Sequence, residues 1–282
     1  MPCSEVGRSA LPCTGRICSL PVGTGSRPWR AGGCWASYAE RSLHNTHTQK
    51  RKEEDRMRRC SLLAVGAVGL AVVGGWGLGG AQQAQPITVT CPTQSLQKAI
   101  DGAAPNTEIT IKGTCKENLY IEKSLTLRAD PKEGATLSPV TPYLPVVAVT
   151  NGKVLLLGEP GKPLTITGGD RGVITIGKSA EVVLDQVIVK ENVWGGVLVA
   201  DGKVIIQNST ISANGVGIAV LDRAEISNNT ITNNRGCGVW AVSKAQGWAV
   251  DAQVSGSNNA MSANAGGDLC PAGFPWPAGF KR

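Results

Sequence analysis

NSTISANG (residues 208–215), NNTITNN (228–234) and NNAMSAN (258–264) are three copies of one pattern: turn-forming Asn, a short β-forming core, then Asn again. A looser copy, QVIVKEN, occupies residues 186–192. Asn192, Asn214, Asn234 and Asn264 therefore recur at steps of 22, 20 and 30, with Asp170 a further 22 residues earlier. Repeats of this length are stacked supersecondary units, none able to bury its apolar face alone. The segments between the turns, such as VVLD, QVIVK, KVIIQ and GIAVL, are too short and too rich in β-branched residues for helix pairs. Each repeat supplies one turn of a three-sided coil of parallel strands. The step of 30 predicts an insertion between Cys237 and Ser257.

Side-chain alternation follows the same frame. Ile166, Val189, Ile211, Ile231 and Met261 share one register and form one inward column. Val197, Ile218 and Val239, with Val199, Val220 and Ala241, form two more. Asn at each turn suits a left-handed backbone, and stacked Asn side chains can hydrogen-bond from coil to coil. An open coil leaves strand edges at both ends, which invites aggregation unless each is capped. After the strand ITVT (87–90), residues 92–103 place Leu96, Ala99, Ile100 and Ala103 on one helical face, which predicts a short capping helix. At the other end Phe274, Trp276 and Phe280 make an aromatic tail.

Composition agrees with a turn-dense β protein: 36 of 282 residues are Gly and 4% are aromatic, against a usual Gly share of about 7%. The formal charge of +7 is not a property of the repeats. Residues 1–81 hold 11 Lys and Arg against 5 Asp and Glu, leaving 17 against 16 in residues 82–282. No basic stripe remains there, which removes the main electrostatic support for nucleic-acid binding. Both His residues, His44 and His47, also precede the repeats.

Met57-Arg58-Arg59, the apolar run from Leu62 to Val73 and the small residues Gly79-Gly80-Ala81 have the order of a secretory signal peptide. A membrane anchor is the competing reading, because the segment through Leu78 approaches the ~20 residues that span a bilayer. Its Gly-rich end and the missing basic stop-transfer cluster favour cleavage, which would leave no membrane span. Residues 1–56, with four Cys and no helical or strand period, read as translation upstream of a start at Met57, or as a disordered extension. Lys52-Glu53-Glu54 can be encoded by a bacterial ribosome-binding sequence. The expected organisation is thus an extension (1–56), a signal peptide (57–81) and a mature domain (82–282) with a C-terminal tail (266–282), placed outside the cell or in the cell envelope. The mature part keeps Cys91, Cys115, Cys237 and Cys270, an even number in an exported chain. Three pairings are open. The local one, Cys91–Cys115 with Cys237–Cys270, would tie down each end.

Over roughly residues 86–270 the chain resembles the right-handed parallel β-helix repeat proteins of the pectate-lyase-like superfamily. The three Asn repeats carry most of the likeness. The opening TCPTQSLQKAIDGAAPNTEITIKGTCKENLYIEKSLTL (90–127) also resembles that family's first coil. The resemblance implies an all-β fold, a single right-handed parallel β-helix with a short N-terminal capping helix. It does not select a function, since the superfamily contains polysaccharide lyases, glycosidases and adhesive proteins.

Lyases of this kind hold calcium on acidic residues beside an Arg or Lys base, which requires outward charge on one sheet. Aligning Gly172, Gly196, Gly217 and Gly238 puts Ile174, Leu198, Ala219 and Trp240 at the outward position, so that face is apolar. Glycosidases need two opposed carboxylates. Asp170, Asp185, Asp201 and Asp222 are available, but no Asp-Asp pair stands among them. The catalytic candidates are Asp170, Arg171 and Arg235. Asn192, Asn214 and Asn234 stack at equivalent turns, either as a polar ridge for saccharide or calcium or as a structural ladder. Trp194 and Trp240 can stack on sugar rings or pack under the insertion or tail. No resident metal or other cofactor is expected, and calcium is the one ion the acidic turns could take. Copper handling lacks ligands, because the mature chain has no His and only Met261. The reading that follows is a non-catalytic binding or structural module with polysaccharide as ligand; the alternatives are a lyase or hydrolase of the superfamily, or a purely structural protein.

Overall fold

Alternating Val, Ile and Thr favour pleated strand over helix, and the Gly or Asn after each short run lets the chain turn a corner. The protein was analysed as a computed structural model that describes residues 86–280. The expected extension and signal peptide (1–81), with their Cys and His residues, lie outside the described residues. The strands wind as three faces, A, B and C. Ala180–Asp185 lies in A, Val187–Lys190 in B and Gly195–Val199 in C, and the next coil repeats the plan 21 or 22 residues later. Pairing between coils is parallel. Faces A and B are one fourteen-stranded sheet and face C has seven strands. The two halves of Glu108–Lys116 pair in A and in B. The chain turns at Gly113, where φ is +79° and a Cβ would stand 2.7 Å from the Cys91 carbonyl oxygen.

The inward columns are those the alternation predicts. Ile166, Val189, Ile211, Ile231 and Met261 are register partners in face B. Val197, Ile218 and Val239, and Val199, Val220 and Ala241, are partners in face C. All are fully buried except Met261, which lies in the last coil. The step of 30 is an insertion between Ala241 and Gln253 that carries a 3-10 turn at Lys244–Gln246.

The Asn column differs from expectation in one respect. The left-handed residues are Glu191, Ala213, Asn233 and Ala263, with φ of 56°, 56°, 56° and 55°, each one position before the stacked Asn. That residue makes the corner, and the Asn after it points inward. Asn192 donates its backbone N–H (3.1 Å) and Nδ2 (2.9 Å) to Asn214 Oδ1. Asn214 does the same to Asn234, and Asn234 to Asn264. Asn264 Nδ2 ends the series on Asp268 Oδ1 at 2.8 Å. A second ladder, which the Asn spacing does not mark, runs through Ser209, Asn229 and Asn259 at the corner between A and B.

The N-terminal cap is the helix Leu96–Gly102, which buries Leu96 and Ile100. Ser95 Oγ accepts from Lys98 N–H, while the Glu117 carboxylate accepts from the Leu96 and Gln97 N–H groups. The predicted local disulfides are both present, Cys91–Cys115 and Cys237–Cys270. Among the described residues no helix is long and apolar enough to cross a membrane.

Two stability measurements follow. Asn214→Ala leaves the Asn192 N–H donors and the Val189 carbonyl without their buried partner. Denaturant unfolding should show a loss of about 1–3 kcal/mol, while Asn208→Gly, at an exposed corner with φ of 50°, stays within about 0.5 kcal/mol. The Asp130 carboxyl is held below the usual carboxylate range, chiefly by the Lys132 backbone N–H, then by the Glu133 N–H and Lys112. A lowered folded value means this contribution is complete above the ordinary pKa and is lost as pH falls through the folded value. Asp130→Asn should flatten the acid limb of the stability–pH curve and leave the neutral limb parallel to wild type.

Candidate functional site

Face A is charged outside, and its charges are paired. Lys153 meets Glu181 at 2.9 Å and Lys203 meets Glu225 at 2.7 Å, while Arg128 bridges Glu108 and Glu159. The Glu108 hydrogen bond is the main reason the Arg128 guanidinium titrates even higher than usual. Exposed pairs of this kind stabilise weakly.

Face C is different. Tyr120, Ala148, Ile174, Leu198, Ala219 and Trp240 form one outward row across six adjacent strands. The apolar strip expected from the glycine alignment is real, and its centre is buried: Ile174 and Leu198 are 8% exposed and Ala219 not at all. Trp194, Val216, Leu221 and Trp240 pack against it. Trp240 also meets Trp248 of the insertion edge to face, ring centroids 5.5 Å apart. Trp248 is 36% exposed. It was not singled out in the sequence, because no repeat position marks it.

Asp170, Arg171, Trp194 and Arg235 come together at the corner between B and C. The Arg171 guanidinium pairs with the Asp170 carboxylate and lies 4.7 Å above the Trp194 ring. Trp194 N–H donates to the Asp170 carbonyl at 2.7 Å, and Arg235 Nη2 donates to the carbonyls of Val193 (2.7 Å) and Asn192 (3.3 Å). Arg171 thus links its coil to the next through the Trp194 ring, and Arg235 reaches back across one coil to the coil that carries Val193. The Arg171 Nε is buried without a hydrogen-bond partner.

Asn192, Asn214 and Asn234 do not join this cluster at the surface. They are at most 1% exposed, and their amides bond to each other and to inward carbonyls. Of the two readings of these Asn residues, ridge and ladder, the buried amides fit the ladder, since the left-handed corner residue before each Asn turns the Asn side chain inward. The other carboxylates are dispersed. Asp185 lies on face A, where it accepts from Gln207 and Asn208. Asp222, at the corner between C and A, accepts from the Gly202 N–H. Among the described residues no three His, Cys, Asp or Glu side chains gather closely enough to hold a metal ion.

Comparison with known proteins supplies the handedness. The family model for the right-handed β-helix region matches residues 163–266. The fold is a right-handed parallel β-helix. No curated protein sequence matches the chain. Among solved structures, an alginate lyase from Paenibacillus sp. str. FPU-7 is similar at 14% identity and a TM-score of 0.30, over 64% of this chain and 97% of that one.

Arg171→Ala removes the cation above Trp194 and leaves Asp170 without its ion pair. A stability loss of about 1–2 kcal/mol should accompany stronger acrylamide quenching of the tryptophan fluorescence of this β-helix. Unchanged quenching would show that Arg171 does not shield the ring.

Proposed function

We propose that this chain is an exported, non-catalytic β-helix module that binds polysaccharide through the aromatic rim of face C. The observation that carries this reading is the Trp240–Trp248 pair beside the apolar strip. A flat ring held edge to face by a second one presents a rigid apolar surface that suits the C–H faces of a pyranose. Trp194 packs against the same strip with the Arg171 guanidinium over its ring. The two disulfides and the hydrophobic run after Met57 fit an oxidising compartment outside the cytoplasm.

The clustering of Asp170, Arg171 and Arg235 beside Trp194 is what favours the second reading, a polysaccharide lyase or hydrolase. Against it, the Asp170 carboxylate faces the Arg171 cation and Arg235 holds two backbone carbonyls, which leaves no side chain of the cluster placed as a general base with a second acidic partner.

One experiment separates the readings. The protein is incubated with a panel of insoluble and soluble polysaccharides, with and without calcium, and both retention and product are measured. The binding reading requires retention without product, weakened roughly tenfold, about 1.4 kcal/mol, in Trp240→Ala and Trp248→Ala. Reducing ends or unsaturated products that vanish in Arg171→Ala would establish the enzyme instead. Retention that survives both tryptophan substitutions would remove face C from the account.

A further inference from the structure

Residues 86–280 contain eight aromatic side chains. Phe274, Trp276 and Phe280 pack together over the last coil. The other five all belong to face C or to its two edges. Tyr120 and Trp240 are the first and sixth members of its outward row. Tyr143 and Trp194 stand in the segments that lead into it from face B, and Trp248 stands in the insertion that leaves it. Exposed aliphatic groups follow the same boundary. Among the described residues the exposed large hydrophobic side chains are Tyr120, Tyr143 and Trp248, with Val140 and Leu144 in the loop of Tyr143, Val193 beside Trp194, and Val250 in the insertion. None of them stands on a strand of face A or face B. Apolar surface gathered on one side of a protein marks a site of contact.

Charge and dimension together define the ligand. The row and the side chains packed against it are apolar throughout. At its edges Arg171 is neutralised by Asp170 and Lys244 by Asp251, and Arg235 is turned onto main-chain carbonyls. An anionic lipid surface or an acidic polymer would call for a cluster of Lys and Arg, so the matching surface is uncharged. From Tyr120 to Trp240 the row crosses six strands, a span of about 24 Å at the usual strand spacing. Tyr143 lies to the face B side of that row, and Trp248 beyond its other edge. The exposed rings are therefore spread in two directions and not along one line. The middle of the row is closed, because neighbouring side chains cover Ile174, Leu198 and Ala219. No trough is left there into which a single sugar chain could sink.

We infer, on the polysaccharide-binding reading proposed above, that the ligand is an uncharged polysaccharide packed into an insoluble array, and that Tyr120 and Tyr143 bind it at the opposite end of face C from the Trp240–Trp248 pair. Chains packed side by side present a sheet of pyranose C–H groups that is broad as well as long. Rings on both sides of the row then meet several chains at once, whereas an isolated chain reaches only the rings along one line. Each ring contributes modestly, and simultaneous engagement of separated rings multiplies their effect.

The test is depletion of the protein from solution by microcrystalline cellulose, chitin and curdlan, each with and without the soluble hexasaccharide of the same sugar as competitor. Retention is expected on at least one of these solids. It should persist in molar sodium chloride, where exposed charges are screened, and resist the hexasaccharide. Tyr120→Ala and Tyr143→Ala should each weaken it roughly fivefold. Tyr143 is 84% exposed, so its removal leaves the fold intact. Tyr143→Phe, which keeps the ring, should retain binding, and Thr165→Ala on face B should leave it unchanged. Binding of the hexasaccharide as tight as that of the solid, preference for soluble alginate, or full retention in both tyrosine variants overturns this inference and leaves face C a saccharide site of another kind. Failure to bind any of these saccharides, soluble or solid, removes the binding reading as well. Capture by phosphatidylcholine vesicles, or a doubled solution mass that Tyr143→Ala returns to that of a monomer, assigns the face to a lipid surface or to a second copy and likewise overturns it.

Discussion

Everything in this molecule depends on the register between one coil and the next. Parallel strands about 4.8 Å apart place each side chain directly over its counterpart, so a polar residue facing inward has a partner only if the coil above supplies one in the same place. Asn meets that condition with itself, because an amide both donates and accepts. The chain from Asn192 to Asp268 thus satisfies buried donors that would otherwise destabilise the core, and a coil slipped by one residue would lose every one of those bonds. The second ladder, through Ser209, Asn229 and Asn259, constrains another corner of the same coils.

With the register fixed by the inward columns and ladders, the three outer faces can carry different chemistry. Face A carries paired charges, face B carries hydroxyl residues such as Thr165, Thr210 and Thr230, and face C carries an apolar row. The functional reading rests on that division of labour. The corner where Asp170, Arg171, Trp194 and Arg235 meet combines charge with aromatic surface, yet its cations are engaged with Asp170, with the Trp194 ring and with main-chain carbonyls. Such a corner stiffens the edge of face C more readily than it performs acid–base chemistry.

A solenoid has two ends that its repeats cannot finish, and here they are closed by different chemistry. The first coil is sealed by a helix capped by Glu117 and stapled by a buried disulfide. The last is covered by three aromatic side chains on a tail attached through a more accessible disulfide. The asymmetry follows from chain order. The helix lies in the chain between the strands Ile87–Thr90 and Glu108–Lys116 and packs against both, whereas the tail follows the last strand and has only one side on which to pack.

Much of this was legible in residues alone. The spacing of NSTISANG and its copies determined the coil, and the period-two alternation of Ile211 and Val197 with their equivalents determined the interior columns. An even count of cysteines near the two termini was compatible with the pairing found. These features are local or periodic, so sequence distance maps directly onto position. What the sequence did not decide is where non-periodic residues end up. Asn192, Asn214 and Asn234 could equally have formed an outer ridge or an inner ladder, and a left-handed residue one position earlier settles it by rotating their side chains inward. Trp248 lies in an insertion with no register of its own, and only tertiary packing brings it against Trp240. The contact of Arg235 with the Val193 carbonyl, 42 positions apart in the chain, likewise required the coils to stack, because contacts across coils depend on the summed length of every turn between them.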